Sequence, residues 1–316
     1  MIWYVLRRIA AVVPILLGVS LVCFSFIHLA PGDAISAVTP DNATPEVIAQ
    51  IRQMYGYDQP LPVQYARWLG AVVTGNFGTS IMTGRPVSGE VLPAVVNTGK
   101  LALAAVTISL LLGISLGLIA AHTRRIWTDR LITGLAILGV SVPHYWLGMV
   151  LVAIFAVQLG LMPAMGMSAS TSDGWLSWEQ LKHVVLPAVT LSLIPTAIIA
   201  RTVRATVIDV LKQDFVQTLH GCGLGPRRVF RRVVTNAAPA ILSVAGLQIA
   251  QLLGGSILIE TVFSWPGTGF LLNTAIATRD LPLLQGTILV LATFFVLMNL
   301  MVDLLQPLLD PRIARG

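Results

Sequence analysis

Apolar runs of membrane-crossing length alternate along the chain with polar segments rich in Arg, Pro and Gly. The runs fall at residues 9–30, 98–121, 131–161, 186–207, 237–263 and 283–305. Each is about 20 residues or longer, which at about 1.5 Å per helical residue covers the ~30 Å hydrocarbon core of a bilayer. The pattern predicts an all-α membrane protein with six transmembrane helices. The first run follows Arg7-Arg8 and is longer than the apolar part of a signal peptide, so it reads as an uncleaved span.

An even number of spans puts both ends on one side, and the basic residues choose which. With the N-terminus inside, the inner segments collect Arg7, Arg8, Arg124, Arg125, Arg130, Arg201, Arg204, Lys212, Arg227, Arg228, Arg231, Arg232, Arg312 and Arg315, 14 of the 20 basic residues, while 9 of the 14 acids fall outside. The expected topology is N-in, C-in. The chain then divides into residues 1–30, the N-terminus and first span; residues 31–97, an external cap; and residues 98–316, a five-helix core with a cytoplasmic loop at 208–236. In the cap, residues 45–55 show helical spacing of Val47, Ile48, Ile51 and Met54. Two further outer loops, 163–183 and 264–280, carry Trp175, Trp178 and Trp265, which suit the headgroup layer.

Composition narrows the function. With 55% hydrophobic and 11% charged residues and a mean hydropathy of +0.82, most of the chain belongs in lipid. The net charge of +6 does not point to nucleic acid, because the basic residues are spread over the loops between spans. Cys23 and Cys222 lie at different depths and form no disulfide framework. The chain has no Gly-x-x-x-x-Gly-Lys-Ser/Thr phosphate loop and no His-Glu-x-x-His or Cys-x-x-Cys spacing, and its five histidines (His28, His122, His144, His183, His220) are scattered. A self-powered carrier would need a chain of buried acids. Here Arg201 lies about 22 Å from the outer end of its span, near the inner face, and Glu260 at an outer end, so both are expected to reach water.

Uncharged polar and small residues remain inside the spans. Gly113 and Gly117 form a GxxxG face with Ser109 on the same side, suited to close helix approach. Ser141-Val142-Pro143-His144 breaks the third run, as either a pore lining or a helix junction, and Pro195 sits comparably in the fourth. Gln248 and Gln251 share a face with Ser243, and Gly254, Gly255 and Ser256 extend it. That strip suits interhelical hydrogen bonds, a hydrated path, or both. The candidate translocation residues are Ser141, Pro143, His144, Gln248, Gln251 and Ser256.

The inner loop is unusual. Residues 214–219 can form a short helix with an apolar stripe of Phe215, Val216 and Leu219, and Gly223-Leu224-Gly225-Pro226 then forces a turn. A second helix at 227–234 carries Arg227, Arg228, Arg231 and Arg232. Anchoring to anionic lipid and docking to a protein are both open, but apolar residues exposed beside arginines call for a partner.

This loop resembles the cytoplasmic signature of permease subunits of binding-protein-dependent ABC importers, a Glu-Ala-Ala stretch followed by an obligatory glycine, with Gln217-Thr218-Leu219 and Gly223 in those places. More specific are Trp3-Tyr4 with Arg7-Arg8, Pro31-Gly32-Asp33, Asp58-Gln59-Pro60-Leu61, Gly75-Asn76-Phe77-Gly78, the run from Glu260 to Gly267, and Asp303 with Leu309-Asp310-Pro311-Arg312. Together they are similar to the first membrane subunit of the dipeptide/oligopeptide/nickel permease family over essentially the whole chain. Where relatives carry a small, basic-rich stretch, this chain has residues 217–223 with the bulky Leu219.

The resemblance implies a type I ABC importer permease fold in a bacterial inner membrane. It implies a homologous second permease, two ATPase subunits that bind the ATP and Mg, an extracytoplasmic solute-binding protein and surrounding lipid, with no cofactor, metal or catalytic residue on this chain. Asp214, Phe215, Val216, Gln217, Thr218, Leu219, Gly223 and Leu224 would couple to an ATPase, and Trp265, Pro266, Gly267, Arg279 and Asp280 would meet the binding protein. Gly223→Val, or a charge at Leu219, would then uncouple ATP hydrolysis from uptake. The expected cargo is a small peptide or peptide-like solute, with nickel, a metal chelate, glutathione or an opine as alternatives. A secondary carrier, a channel and a lipid-anchored scaffold are the rivals from other classes.

Overall fold

The computed structural model describes residues 2–29, 44–46, 53, 58–123, 134, 142–168 and 177–309. Among these the named elements are all helical: α1 (Ile2–Leu29), α2 (Leu61–Val73), α3 (Val87–Thr123), α4 (His144–Leu151) with a π-helical continuation (Val152–Gln158), α5 (Trp178–Leu211), α6 (Asp214–Gly221), α7 (Pro226–Val262), α8 (Thr268–Ala277) and α9 (Leu281–Leu309). Four stretches are long and apolar enough to cross a membrane: Val5–Ser25, Val87–Thr123, Trp178–Leu211 and Leu281–Leu304. α7 makes a fifth if its two parts, Pro226–Ile249 and Gly254–Val262, bent by 52°, are one span.

The structure redraws the third and fifth runs and the third outer loop. Within residues 131–161, the described part starts a new helix at His144, because Pro143 sits at φ −57°, ψ 120°, outside helical geometry. That helix loosens into π turns, seen where Leu159 N–H reaches the Ile154 carbonyl at 2.9 Å. The separate arginine helix expected at 227–234 is instead the start of α7, which runs from Pro226 in its first turn on into the apolar stretch, with no break before Ile249. The loop expected at 264–280 contains α8. Of the helix expected at 45–55, most lies outside the described residues.

The described residues form two compact units, one within Asn97–Pro266 and 298–309, the other within Ile2–Val96 and Gly267–Leu297. In the first unit, α5 and α7 pack along one another most extensively. One core there joins Ile199, Val203 and Val207 of α5 to Val229, Val233, Ala237 and Ile241 of α7. A second gathers Leu101, Leu186, Leu191, Ile259, Phe263 and Trp265. The GxxxG face of α3 lies directly on α5. A Cβ at Gly117 would come within 2.6 Å of both the Ala200 carbonyl oxygen and Val203, and one at Gly113 within 2.9 Å of Ile199.

In the second unit, Val87, Val91, Ala275 and Leu283 form the core. Gln285 donates to the Cys23 carbonyl at 3.0 Å, and Ser20 and Tyr65 hydroxyls pair at 2.7 Å. Asp280 is buried and ties three segments. One carboxyl oxygen accepts Leu283 N–H at 3.1 Å and so caps α9, while the other accepts Ser80 Oγ at 2.6 Å and Met82 N–H at 3.2 Å. Asp280→Ala is expected to cost about 3 kcal/mol, because a cap is lost and buried donors are left unpaired. A fluorescence-detected thermal melt in detergent checks this, and an unchanged midpoint would contradict it.

Four helices end alike. At α2, α6, α7 and α8 the second residue past the cap donates five residues back: Asn76 to Ala71, Leu224 to Leu219, Trp265 to Glu260 and Asp280 to Ala275. The first residue past the cap has positive φ: Gly75 at 83°, Gly223 at 76°, Ser264 at 47° and Arg279 at 54°. These are Schellman endings, which turn the chain sharply out of a helix. Two of the four place an ordinary side chain where glycine is favoured, a local strain held by the packing of the buried residue that follows, Trp265 or Asp280.

Candidate functional site

The short amphipathic helix between the two longest-packed spans is the best-defined candidate surface. α6 begins after Gln213, in extended backbone at ψ 149°, and ends in the turn at Gly223. Its Schellman bonds, Leu224 N–H to Leu219 O at 3.2 Å and Gly223 N–H to His220 O at 2.9 Å, satisfy the last carbonyls of the helix. A Cβ at Gly223 would meet nothing within 4 Å, so glycine is needed there for its φ and not for space.

The direction of the apolar stripe corrects the sequence expectation. Val216 is buried, and Phe215, Leu219 and Leu224 pack with it onto the core formed by Val229, Val233 and Ala237 of α7 and Val207 and Val210 of α5. The stripe therefore faces this chain's own core, with Val216 buried and Phe215, Leu219 and Leu224 half-buried. A charge at Leu219 would strain that core as well as any docking. What α6 presents outward is polar: Asp214, Gln217, Thr218, His220, Gly221 and Cys222 are all exposed.

The expected translocation residues are only partly brought together. Ser141 lies outside the described residues. Pro143 and His144 open α4, which packs against α7, the helix of Gln248, Gln251 and Ser256. His144 Nε2 is buried with no hydrogen-bond partner among the described residues, so no direct bond joins it to the glutamines. Gln248 Nε2 donates to Gln251 Oε1 at 3.3 Å along the helix itself. Ser243 Oγ likewise returns to the Pro239 carbonyl at 3.0 Å. Neither bond crosses between helices. Gln248 and Ser256 are buried, and Gln251 is exposed.

The outer residues also change role. Trp265 is 1% exposed, with Nε1 donating to the Asn97 carbonyl at 3.0 Å, and Asn97 Nδ2 returns a bond to the Pro266 carbonyl at 3.0 Å. It is a core residue, whose buried ring has almost no surface to offer to lipid headgroups or to an outer partner. Burial of Asp280 and Gly267 likewise leaves them little surface to offer, whereas Arg279 is exposed. Glu260, expected to reach water, is fully buried. Among the described residues no group of three or more His, Cys, Asp or Glu side chains is placed to hold a metal ion.

Sequence reasoning missed Asn97, whose bonds to Trp265 and Pro266 fix the end of α7, and the capping role of Asp280. The latter had a signal, since Asp280 precedes Leu281-Pro282 and an apolar run, a helix start with proline in the first turn.

Long apolar helices closed on one another by small residues, with a short amphipathic helix turned back onto them, define a multi-pass membrane subunit. The model of the family described as binding-protein-dependent transport system inner membrane component matches residues 113–315, and the model of the N-terminal part of such components matches residues 1–91. The dipeptide transport system permease protein DppB of Alkalihalophilus pseudofirmus is 38% identical over 99% of both chains. The glutathione transport system permease protein GsiC is 38% identical in Salmonella typhimurium and 36% in Escherichia coli K12, over 98% of both chains in each case. A structure of the MetNI methionine ABC transporter, inward facing, aligns with a TM-score of 0.54 at 16% identity, covering 70% of this chain and 96% of that one, and shares the fold. The chain belongs to the permease family of binding-protein-dependent ABC importers and is a multi-pass inner-membrane protein.

Proposed function

We propose that the chain is one of two homologous membrane subunits of an ATP-driven importer that takes up a small peptide or peptide-like solute. Six spans with both ends inside would put α6 in the cytoplasm and residues 31–97 outside as a cap, where an external binding protein delivers the solute. The observation that carries the reading is the build of α6. It is an amphipathic helix whose apolar side packs on the core that α5 and α7 share and whose polar side is exposed.

In this reading Gln217, Thr218 and His220, and not the inward stripe, meet the ATPase, where ATP and Mg bind. Because Phe215, Val216 and Leu219 tie α6 to both α5 and α7, a push on α6 moves these helices together as a rigid body. DppB and GsiC, whose names specify dipeptide and glutathione transport, support a peptide-type cargo.

The test is reconstitution in liposomes of this chain with a second permease, ATPases and binding protein, offering labelled dipeptide, labelled glutathione or nickel. ATP-dependent accumulation of a peptide only when the binding protein is present is expected. Accumulation by the lone chain without ATP would refute the importer reading, and nickel uptake alone would refute the cargo.

A further inference from the structure

The first two turns of α7 hold Arg227, Arg228, Arg231 and Arg232, all exposed. None forms an ion pair or a side-chain hydrogen bond with another described residue. At about 100° per residue the four occupy a sector of about 140°. Val229 and Val233, both buried in the core, point the other way. Cations at the start of a helix oppose its dipole, so the cluster does not serve the stability of α7.

Its height along the helix is informative. The apolar part of α7 begins at Ala237, five residues or about 7.5 Å beyond Arg232. The headgroup layer on each side of a bilayer is about 5–7.5 Å deep. Arg232 therefore lies at the outer edge of that layer and Arg231 about 1.5 Å beyond it, and Arg227 and Arg228 lie one turn further out, about 6 Å; their long stems let the guanidinium groups reach back to the phosphates.

We propose that this arginine face is a binding site for anionic phospholipid headgroups, phosphatidylglycerol in the simplest case. The occupant follows from charge and depth: a planar fork of donors that reaches phosphate level pairs with phosphate oxygens, and four positive charges without an ion-pair partner among the described residues favour a lipid of net negative charge over a zwitterionic one. The site adjoins α6 through the turn at 222–225, so a lipid held there fixes the height of the α6–α7 corner. This inference rests on α7 spanning the membrane and not on the direction or cargo of transport.

The test is native mass spectrometry of the full chain in detergent with equal amounts of phosphatidylglycerol and phosphatidylcholine. The wild type is expected to retain phosphatidylglycerol about fivefold or more over phosphatidylcholine, and to lose that preference as NaCl is raised. Arg227→Gln, Arg228→Gln, Arg231→Gln and Arg232→Gln combined should bring the ratio close to one, while the four Lys replacements should keep most of it. A neutralised variant that keeps the preference overturns the proposal. So does one that keeps it while losing co-purified ATPase, which would assign the arginines to a protein groove. If the neutralised variant does not fold, the salt series and the Lys variant decide: a wild-type ratio insensitive to NaCl also overturns the proposal.

Discussion

Gly117→Leu is expected to abolish close packing of α3 on α5 and to remove most of the folded protein from the membrane. The glycine faces the backbone of α5. A Cβ alone would stand 2.6 Å from the Ala200 carbonyl oxygen and 2.6 Å from Val203. The oxygen belongs to a helix and cannot rotate away, and Val203 is fixed in a core with Val207 and Val233. Helices in a membrane associate through such close contact, since lipid is as apolar as the side chains it replaces. Even Gly117→Ala should cost about 1–3 kcal/mol by forcing the pair apart, and leucine more. Gly99 lies on the same helix with nothing within 4 Å of its missing Cβ. Gly99→Ala should be neutral or gain up to about 1 kcal/mol. Thermal melts of the three variants in detergent check the contrast; equal midpoints for the alanine variants would mean that the α3–α5 approach does not hold the fold.

Gly223→Val is expected to leave the protein folded yet reduce ATP-driven uptake about tenfold or more. The space around Gly223 is open, so the new side chain meets no clash. Its backbone at φ 76° is another matter, since a β-branched residue held there costs about 1–3 kcal/mol. The turn can relieve that cost only by giving up the bonds from Leu224 to Leu219 and from Gly223 to His220. At about 1.4 kcal/mol per tenfold, that cost lowers the weight of the native corner about fivefold to a hundredfold, and a push on α6 is delivered to α7 less directly. Uptake measured beside ATP hydrolysis checks this: hydrolysis that continues while uptake falls is the expected result, and normal uptake would contradict it.

These two glycines were legible in the sequence because their spacing carries the physics. Two glycines four apart in an apolar run read as a packing face, and Gly-x-Gly-Pro after a short amphipathic stretch at 214–219 reads as a helix exit. The direction of the α6 stripe was not legible. Phe215, Val216 and Leu219 announce one apolar side, but what covers it is decided by Val229, Val233 and Ala237, which enter only because the arginine segment and the fifth run form one continuous helix.

Trp265 misled for a related reason. A tryptophan beside Pro266 at the end of a span matches the aromatic belt, yet its indole N–H finds the carbonyl of Asn97, 168 residues away in the chain, and the ring is buried. The break at Pro143 was visible, but the π turns beyond it were not, since Val152–Gln158 carries no composition that separates i→i+5 from i→i+4 bonding.

In the proposed importer, the polar face of α6 is the surface a separate motor engages. Maleimide labelling of Thr218→Cys, with Cys222 replaced by serine and the buried Cys23 left in place, tests it in membranes with and without the co-expressed ATPases. Strong labelling of the chain alone, protection when the ATPases are present, and loss of uptake after labelling are expected. Equal labelling in both membranes, with uptake intact after modification, would contradict that engagement.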